Sequence, residues 1–198
     1  MLLSSPSAAG SSRPLEDRTV TLRPVLARDT DLLYLWATDP LTADTWRYRG
    51  TTPSPEAFQR SLWENVIAQY LVISRASAQP LGLVGLYNAN LASGYAYAYA
   101  LAAGTSLGSG AAVRGLVLLG DLAFRRWPLR RIYLETTSRS LPQFQRSTHR
   151  LVREVARLAG HEVVGDELVD LVTLQLDRED FGRFVAERLE RRELHARV

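Results

Sequence analysis

The sequence predicts a single mixed α/β domain, with one central sheet of about seven strands flanked by helices. Three observations carry that reading. Apolar and polar residues alternate at 18–25, and three consecutive strand-like segments lie between 69 and 102, the last of them strictly alternating tyrosine and alanine. A strongly amphipathic stretch at 108–127 comes next and leads directly into a short apolar strand at 129–138. A helix joining two strands after an antiparallel meander implies a sheet with both parallel and antiparallel neighbours. The chain has 198 residues, 46% of them hydrophobic and 23% charged, which suits one domain with a sizeable core.

The elements follow in order. "RTVTLRPV" is the first strand. "ARDTDLLYLWATDP" is a helix capped at Asp29 or Thr30, striped by Leu32, Leu33, Leu35 and Trp36, and ended by Pro40. "TTPSPEAFQRSLWENV" is a second helix, with Ser54 as cap, Pro55 at its first position, and Phe58, Leu62 and Trp63 as its inner face. In "SGYAYAYALA", Tyr95, Tyr97 and Tyr99 share one face and alanines the other. So small a face implies a close-packed helix above it, or a cleft on one side. The helix at 108–127 has its apolar stripe at Val113, Leu116, Val117, Gly120 and Phe124. "LRRIYLETTS" is a buried strand. "PQFQRSTHRLVREVARLAG" reads as one amphipathic helix, with Pro142 near its start and Gly160 as its C-cap. "HEVVGDEL" and "VDLVTLQLDRE" form a closing pair of strands, and "DFGRFVAERLERRELHARV" a charged terminal helix. Residues 1–17 read as a mobile tail, 18–180 as the domain and 181–198 as the charged helix.

Composition excludes several chemistries. The chain has no cysteine, so thiolate metal sites, disulfides and cysteine nucleophiles are ruled out. Its three histidines, His149, His161 and His195, lack ligand spacing, so no metal is expected. All 24 basic residues are arginine, which excludes lysine Schiff-base chemistry. No apolar run reaches the roughly 18 residues of a membrane span, and the first residues lack the basic start of a signal peptide. A cytoplasmic, non-membrane protein is expected.

"GTSLGSGAAVRG" then poses a question. Gly108 and Gly110 stand where a strand gives way to a helix. The first turn of a helix has unpaired N–H groups and the positive end of the macrodipole. Glycines there allow a phosphate to reach the backbone, and they equally suit a plain turn. The spacing matches neither the Rossmann fingerprint nor a Walker loop.

From about Thr19 to Asp180 the chain resembles the GNAT superfamily of acyl-CoA-dependent N-acyltransferases, and within it the ribosomal-protein N-terminal acetyltransferase subgroup. The resemblance lies in "VTLRPVLARDTDLLYLWATDP", "PLGLVGLYNANL", "LGSGAAVRGLVLLGDLAFRRWPLRRIYLET" and "LVREVARLAGHEVVGDELVDLVTLQLDRED". It implies a GNAT-like domain that uses acetyl-CoA or another acyl-CoA as donor. The family's loop pattern, Gln/Arg-x-x-Gly-x-Gly/Ala, falls on Thr105 to Gly110. It implies that the N–H groups of Leu107, Gly108, Ser109, Gly110 and Ala111 hold the pyrophosphate of coenzyme A. The strand end at Leu101, Ala102 and Ala103 would then pair with the pantetheine arm. Thr105 and Leu107 stand where the family places Gln/Arg and a basic residue.

The family's catalytic pattern is incomplete. No Asp or Glu lies between Glu64 and Asp121, so the central strands carry no carboxylate base. Counting back from Gly160, the family's Asn and Tyr positions fall on His149 and Ala156. The acid–base candidates that remain are Glu135, His149 and Tyr97. Glu135 also reads as a partner for nearby arginines, and His149 as an exposed helix residue. Tyr95, Tyr99 and Asn88 are candidate acceptor-binding residues, although aromatic packing and a polar strand end explain them too. The arginines at 125, 126, 130 and 131 read as an ion-paired surface, or as a dock for the 3′-phosphate of coenzyme A, an acyl-carrier protein or, with less support, tRNA. The expected reaction is direct acyl transfer to a small-molecule or peptide amine in a ternary complex. A carrier-protein or aminoacyl-tRNA donor in natural-product biosynthesis and a non-catalytic binding domain are the alternatives, and a homodimer through the terminal helix is a further expectation.

Overall fold

The computed structural model describes residues 14–40, 51–148 and 151–196. The chain runs β1 (Val20–Pro24), α1 (Thr30–Thr38), α2 (Pro55–Ser61), β2 (Val66–Ser74), β3 (Pro80–Asn90), β4 (Tyr95–Ala102), α3 (Ala111–Arg126), β5 (Arg131–Thr137), α4 (Leu141–Thr148), β6 (Arg153–Val164), β7 (Glu167–Asp177) and α5 (Arg178–Ala196). The strands form one seven-stranded mixed sheet in the order β1-β2-β3-β4-β5-β7-β6. Among the described strands only β4 and β5 pair in parallel, and α3 makes the crossover between them. Among the described residues no helix is long and apolar enough to cross a membrane.

Each face of the sheet has its own core. Toward α1 and α2, Leu33, Phe58, Leu62, Leu71 and Leu83 are buried together. α2 begins as its sequence predicts, with the Ser54 side chain accepting from the Ala57 N–H at 3.2 Å and Pro55 in the first turn. Leu35 and Trp63, expected on the inner stripes, are 65% and 49% exposed. Helices this short bury only a narrow stripe, and Leu33, Phe58 and Leu62 fill it.

Toward α3 the packing is closer. The alanine face of β4, Ala96 and Ala98, is buried in the same cluster as Ala111, Leu119 and Ala123 of α3. The buried stripe of α3 is Ala111, Gly115, Leu119, Gly120, Ala123 and Phe124. Gly120 and Phe124 are buried as expected, but the stripe is rotated at its start, so that Ala111, Gly115, Leu119 and Ala123 are buried while Val113, Leu116 and Val117 are only partly so. A β-carbon on Gly115 would come within 2.4 Å of Val72 Cγ2, and one on Gly120 within 3.2 Å of the Phe181 ring from α5. The helix lies low because both surfaces are trimmed.

The segment 142–160 departs most from expectation. It is a short helix, α4, followed by strand β6, not one long helix. Gly160 is no C-cap: it adopts φ 56° within an interruption of β6 and donates its N–H to Asp170 Oδ1 at 3.0 Å. The spacing of Leu151, Val155 and Leu158 fits a helical stripe, but the free edge of β7 offers a hydrogen-bond ladder that overrides local preference. Arg157 clamps β6 onto β7, bridging Glu154 and Asp170 at 2.7 and 2.8 Å. The expected closing strands become the outer half of β6 and all of β7, joined through Gly165 at φ 63°.

Arginines tie the elements together. Arg178, at the start of α5, donates to the carbonyls of Phe124, Leu129 and Trp127, closing the C-terminal end of α3. Arg125 pairs with Asp121, Arg126 lies over Trp127, Arg130 bonds the Ser93 carbonyl and Arg131 pairs with Asp177. The four arginines at 125–131 thus each have an internal partner. Before β1, Asp17 accepts the N–H groups of Thr19 and Val20 at 2.7 and 2.9 Å. Between β1 and α1, the buried Asp29 carboxylate accepts Arg23 twice, at 2.8 and 2.9 Å, and the Leu26 N–H at 2.8 Å. The Arg23 bonds, aided by the Leu26 N–H, outweigh burial and hold the Asp29 pKa below its ordinary value.

Two outcomes follow. Gly115→Val lowers unfolding free energy by roughly 1–3 kcal/mol through overpacking against Val72. Gly182→Ala, where a β-carbon meets nothing within 4 Å, does not; denaturant midpoints of the two variants check this. The Asp29 contribution is complete above the unfolded carboxyl pKa of about 3.9 and fades as pH falls through the lower native value. Acid titration of Asp29→Asn therefore shows a shallower loss of stability with falling pH than the parent chain.

Candidate active site

β4 and β5 stop pairing partway along. Their ladder spans Tyr95–Ala98 against Arg131–Leu134. Beyond it, β4 continues on β3 as far as Ala102 and β5 continues on β7 as far as Thr137. The strands therefore diverge, leaving a gap bordered by Tyr99–Ala102 on one side and Glu135–Thr137 on the other. Leu101 and Ala102 are half-buried along this border. Ala103 is buried, and its N–H donates to the Leu81 carbonyl at 2.9 Å.

The glycine loop starts where β4 ends. A 3-10 turn at Gly104–Ser106 is pinned to β3 by the buried Ser106 hydroxyl, which donates to the Leu81 carbonyl. Leu107 is exposed, and Gly108 and Gly110 adopt φ of 79° and 73°. Left-handed φ at both positions explains the two glycines, and a β-carbon on either would meet none of the described residues within 4 Å. Gly110 is the N-cap of α3, so the loop opens onto the positive end of a 16-residue helix. Of the expected N–H donors, those of Leu107, Ser109 and Ala111 have internal acceptors, namely the Gly104 carbonyl, the Ser106 carbonyl and the Ser109 hydroxyl. The N–H groups of Gly108 and Gly110 meet no acceptor among the described residues. Arg114, in the first turn of α3, pairs with Asp17 at 3.3 Å.

The face of the sheet opposite α3 carries a row of tyrosines. Register places Tyr97 beside Tyr87 on β3 and Tyr133 on β5. Ring centroids of Tyr97 lie 5.7 Å from Tyr87, 5.6 Å from Tyr133 and 6.3 Å from Tyr95. These four rings are half-buried and belong to neither apolar core. Glu135 is exposed at the edge of the gap, on the same face two residues beyond Tyr133. Burial first, and then the negative charge of Glu135, raise the Tyr97 pKa, so its phenol keeps its proton. Tyr97 can donate a proton or a hydrogen bond, and Glu135 can accept a proton.

The remaining expected residues are placed differently. Tyr99 packs with the α1–α2 core, its ring 5.9 Å from Tyr87 and its hydroxyl donating to Gln69 Oε1 at 2.5 Å. Asn88 is exposed at φ 47° in an interruption of β3, with its N–H on the Asn65 carbonyl. His149 lies outside the described residues. Ala156, at the family's tyrosine position, is on β6. Sequence reasoning missed Tyr87, Tyr133, Gln69 and Asp39. Asp39 follows α1, and its carboxylate lies 3.1 Å from where a β-carbon on Gly104 would stand. Alternation along β5 puts Tyr133 and Glu135 on one face, but only the strand register joins them to Tyr97.

No protein-family model matches the sequence, and no curated protein matches it. Solved structures do match. A spermidine N-acetyltransferase from Vibrio cholerae, in complex with CoA and spermine, aligns with TM-score 0.70 at 15% identity, covering 83% of this chain and 99% of that one. A chimera of the Vibrio cholerae enzyme and hSSAT aligns with TM-score 0.68 at 16% identity, over 82% and 97%. The Vibrio cholerae spermidine/spermine N-acetyltransferase SpeG in complex with manganese ions aligns with TM-score 0.66 at 16% identity, over 85% and 96%. Among the described residues of this chain, no three His, Cys, Asp or Glu side chains are grouped to hold a metal. The finer likeness to ribosomal-protein acetyltransferases gains no support from these matches. This chain shares the overall fold of these N-acetyltransferases, the GNAT fold.

Proposed function

We propose that the chain is an N-acyltransferase that moves an acyl group, acetyl in the simplest case, from acyl-CoA to a primary amine. The observation that carries this reading is the gap beyond Ala98 and Leu134, opening beside the Gly108–Gly110 loop at the head of α3. The loop N–H groups and the helix dipole suit a pyrophosphate. The divergent edge of β4 at Leu101–Ala103 suits the amides of a pantetheine arm, which would set the thioester in the gap. The tyrosine face borders the same gap and supplies the acceptor side. Aromatic faces attract cationic amines, and the spermine complex of the Vibrio cholerae enzyme supports a small-molecule amine acceptor.

Chemistry follows from these positions. The amine nitrogen attacks the thioester carbonyl carbon. The C–N bond forms, the C–S bond breaks, and backbone N–H groups at the gap stabilise the oxyanion. Glu135 takes the proton shed by the amine, and Tyr97 gives one to the departing thiolate. Proximity supplies much of the rate, roughly 7–11 kcal/mol for well-oriented reactants, which suits a site with few charged side chains. Tyr95, Tyr87 and Tyr133 shape the acceptor face, and Asn88 lies at its rim.

Free-thiol release from acetyl-CoA with a panel of polyamines, amino sugars and peptide amines tests the reading. Turnover with at least one amine is expected. CoA binding without thiol release would favour a non-catalytic domain, and turnover only with a loaded carrier protein would replace the donor. Tyr97→Phe is expected to lower kcat by about 10²-fold or more and to abolish the activity loss that the parent chain is expected to show at alkaline pH, where the phenol gives up its proton. Thr105→Gln with Leu107→Arg tightens CoA binding several-fold by calorimetry, since each adds a donor beside the loop; unchanged affinity would place the phosphate elsewhere.

A further inference from the structure

Side chains on a sheet ordinarily stand away from it. Tyr99 does not. It is the first residue of β4 past the point where pairing with β5 ends, so its backbone borders the gap. Its ring lies flat across the neighbouring strand instead. Gly85 is the direct partner of Tyr99 on β3, and a β-carbon there would fall within 2.4 Å of the Tyr99 Cζ and Oη atoms and 2.7 Å of Cε1. The hydroxyl reaches one strand further and donates to Gln69 Oε1 on β2 at 2.5 Å. Gln69, Gly85 and Tyr99 thus form a row across three strands, and the ring points away from β5.

Gln69 is an unusual choice for its position. It is 3% exposed and shares its face with Leu71 of the α1–α2 core, and its Nε2 has no hydrogen-bond partner among the described residues. A buried amide with an unpaired N–H is costly, and leucine would fill the site without that cost. What glutamine provides is the acceptor that fixes Tyr99.

We propose that Gln69 is a positioning residue: with Gly85 it holds the Tyr99 ring down over β3 and so keeps the acyl end of the β4–β5 gap open. This rests on the acyl-transfer reading above. Released from Gln69, the ring swings on its Cα–Cβ bond toward β5 and fills space that an acyl chain beyond acetyl needs. Gly85→Ala has the same effect from below, by expelling the ring. The latch therefore sets the acyl length the site accepts, and acts through Tyr99 rather than on the substrate.

The test compares kcat/KM for acetyl-CoA and butyryl-CoA in the parent chain, Gln69→Leu, Gly85→Ala and the double variant Gln69→Leu/Tyr99→Ala. Gln69→Leu and Gly85→Ala are expected to lower the butyryl-to-acetyl ratio by roughly tenfold or more. Removing the ring in the double variant restores the ratio, which a merely destabilised fold would not do. An unchanged ratio in Gln69→Leu, or a double variant no better than the single, overturns the proposal. A second readout needs no turnover. With 3-fluorotyrosine incorporated, the Tyr99 fluorine resonance, assigned with Tyr99→Phe, moves or splits in Gln69→Leu. A resonance that stays put overturns the latch even if the enzyme is active. A resonance that moves in a chain without activity on any acyl-CoA upholds the latch and removes the function assigned to the gap.

Discussion

The site depends on how closely α3 lies against the sheet. Ala96 and Ala98 on β4 and Gly115 on α3 remove the side chains that would hold the two surfaces apart. That contact sets the head of the helix beside the end of β4, within reach of the gap that opens past Ala98. It also explains the asymmetry of β4. One face is stripped to methyl groups to admit a helix, and the other carries the largest polar rings available. Arg178 fixes the far end of the same helix by taking its last carbonyls, so α3 is held at the sheet along its length and at its tail.

Much of this was legible in the sequence because it is local. The cap at Ser54, the strict alternation of "YAYAYA" and the glycines ahead of α3 each report their own conformation, and each is found as expected. The alanine face correctly implied a close-packed helix. The segment 142–160 was not legible in the same way. Leu151, Val155 and Leu158 satisfy a helical period, and what makes the second half a strand is the unpaired edge of β7, a partner some fifteen residues further on. The face of α3 was misjudged for a related reason. Apolar bulk suggests Leu116 and Val117, which lie only partly buried at the margin of the core, whereas Ala111, Gly115, Leu119 and Ala123 take the centre of the contact.

The site divides along the same line. Gly108 and Gly110 stood out by type and by their place before a helix, whereas the strand end at Leu101–Ala103 entered only through the family resemblance. Tyr97 and Glu135 were visible as residues but not as neighbours, and Tyr87, Tyr133, Gln69 and Asp39 enter only through register and close approach. Tyr99 shows why alternation alone misleads. It shares a face with Tyr95 and Tyr97 in sequence, yet the absence of a side chain at Gly85 lets it lie down beneath α1 and α2, away from the tyrosine row.

The outermost strand has a consequence of its own. From Arg153 to His161, β6 is exposed throughout, and it carries Val155 and Leu158 with its outer edge at the rim of the sheet. A long, flat and regular edge in such a position would invite further strands. β6 is neither flat nor regular. Its register slips between Glu154 and Ala156 and again between Leu158 and Glu162, and Arg157 spends its charge on two carboxylates across that stretch. Each slip breaks the row of evenly spaced N–H and C=O groups that an incoming strand would need, and increases the local twist. The same interruptions that hid this strand from a periodicity reading make it a poor template for unwanted sheet growth.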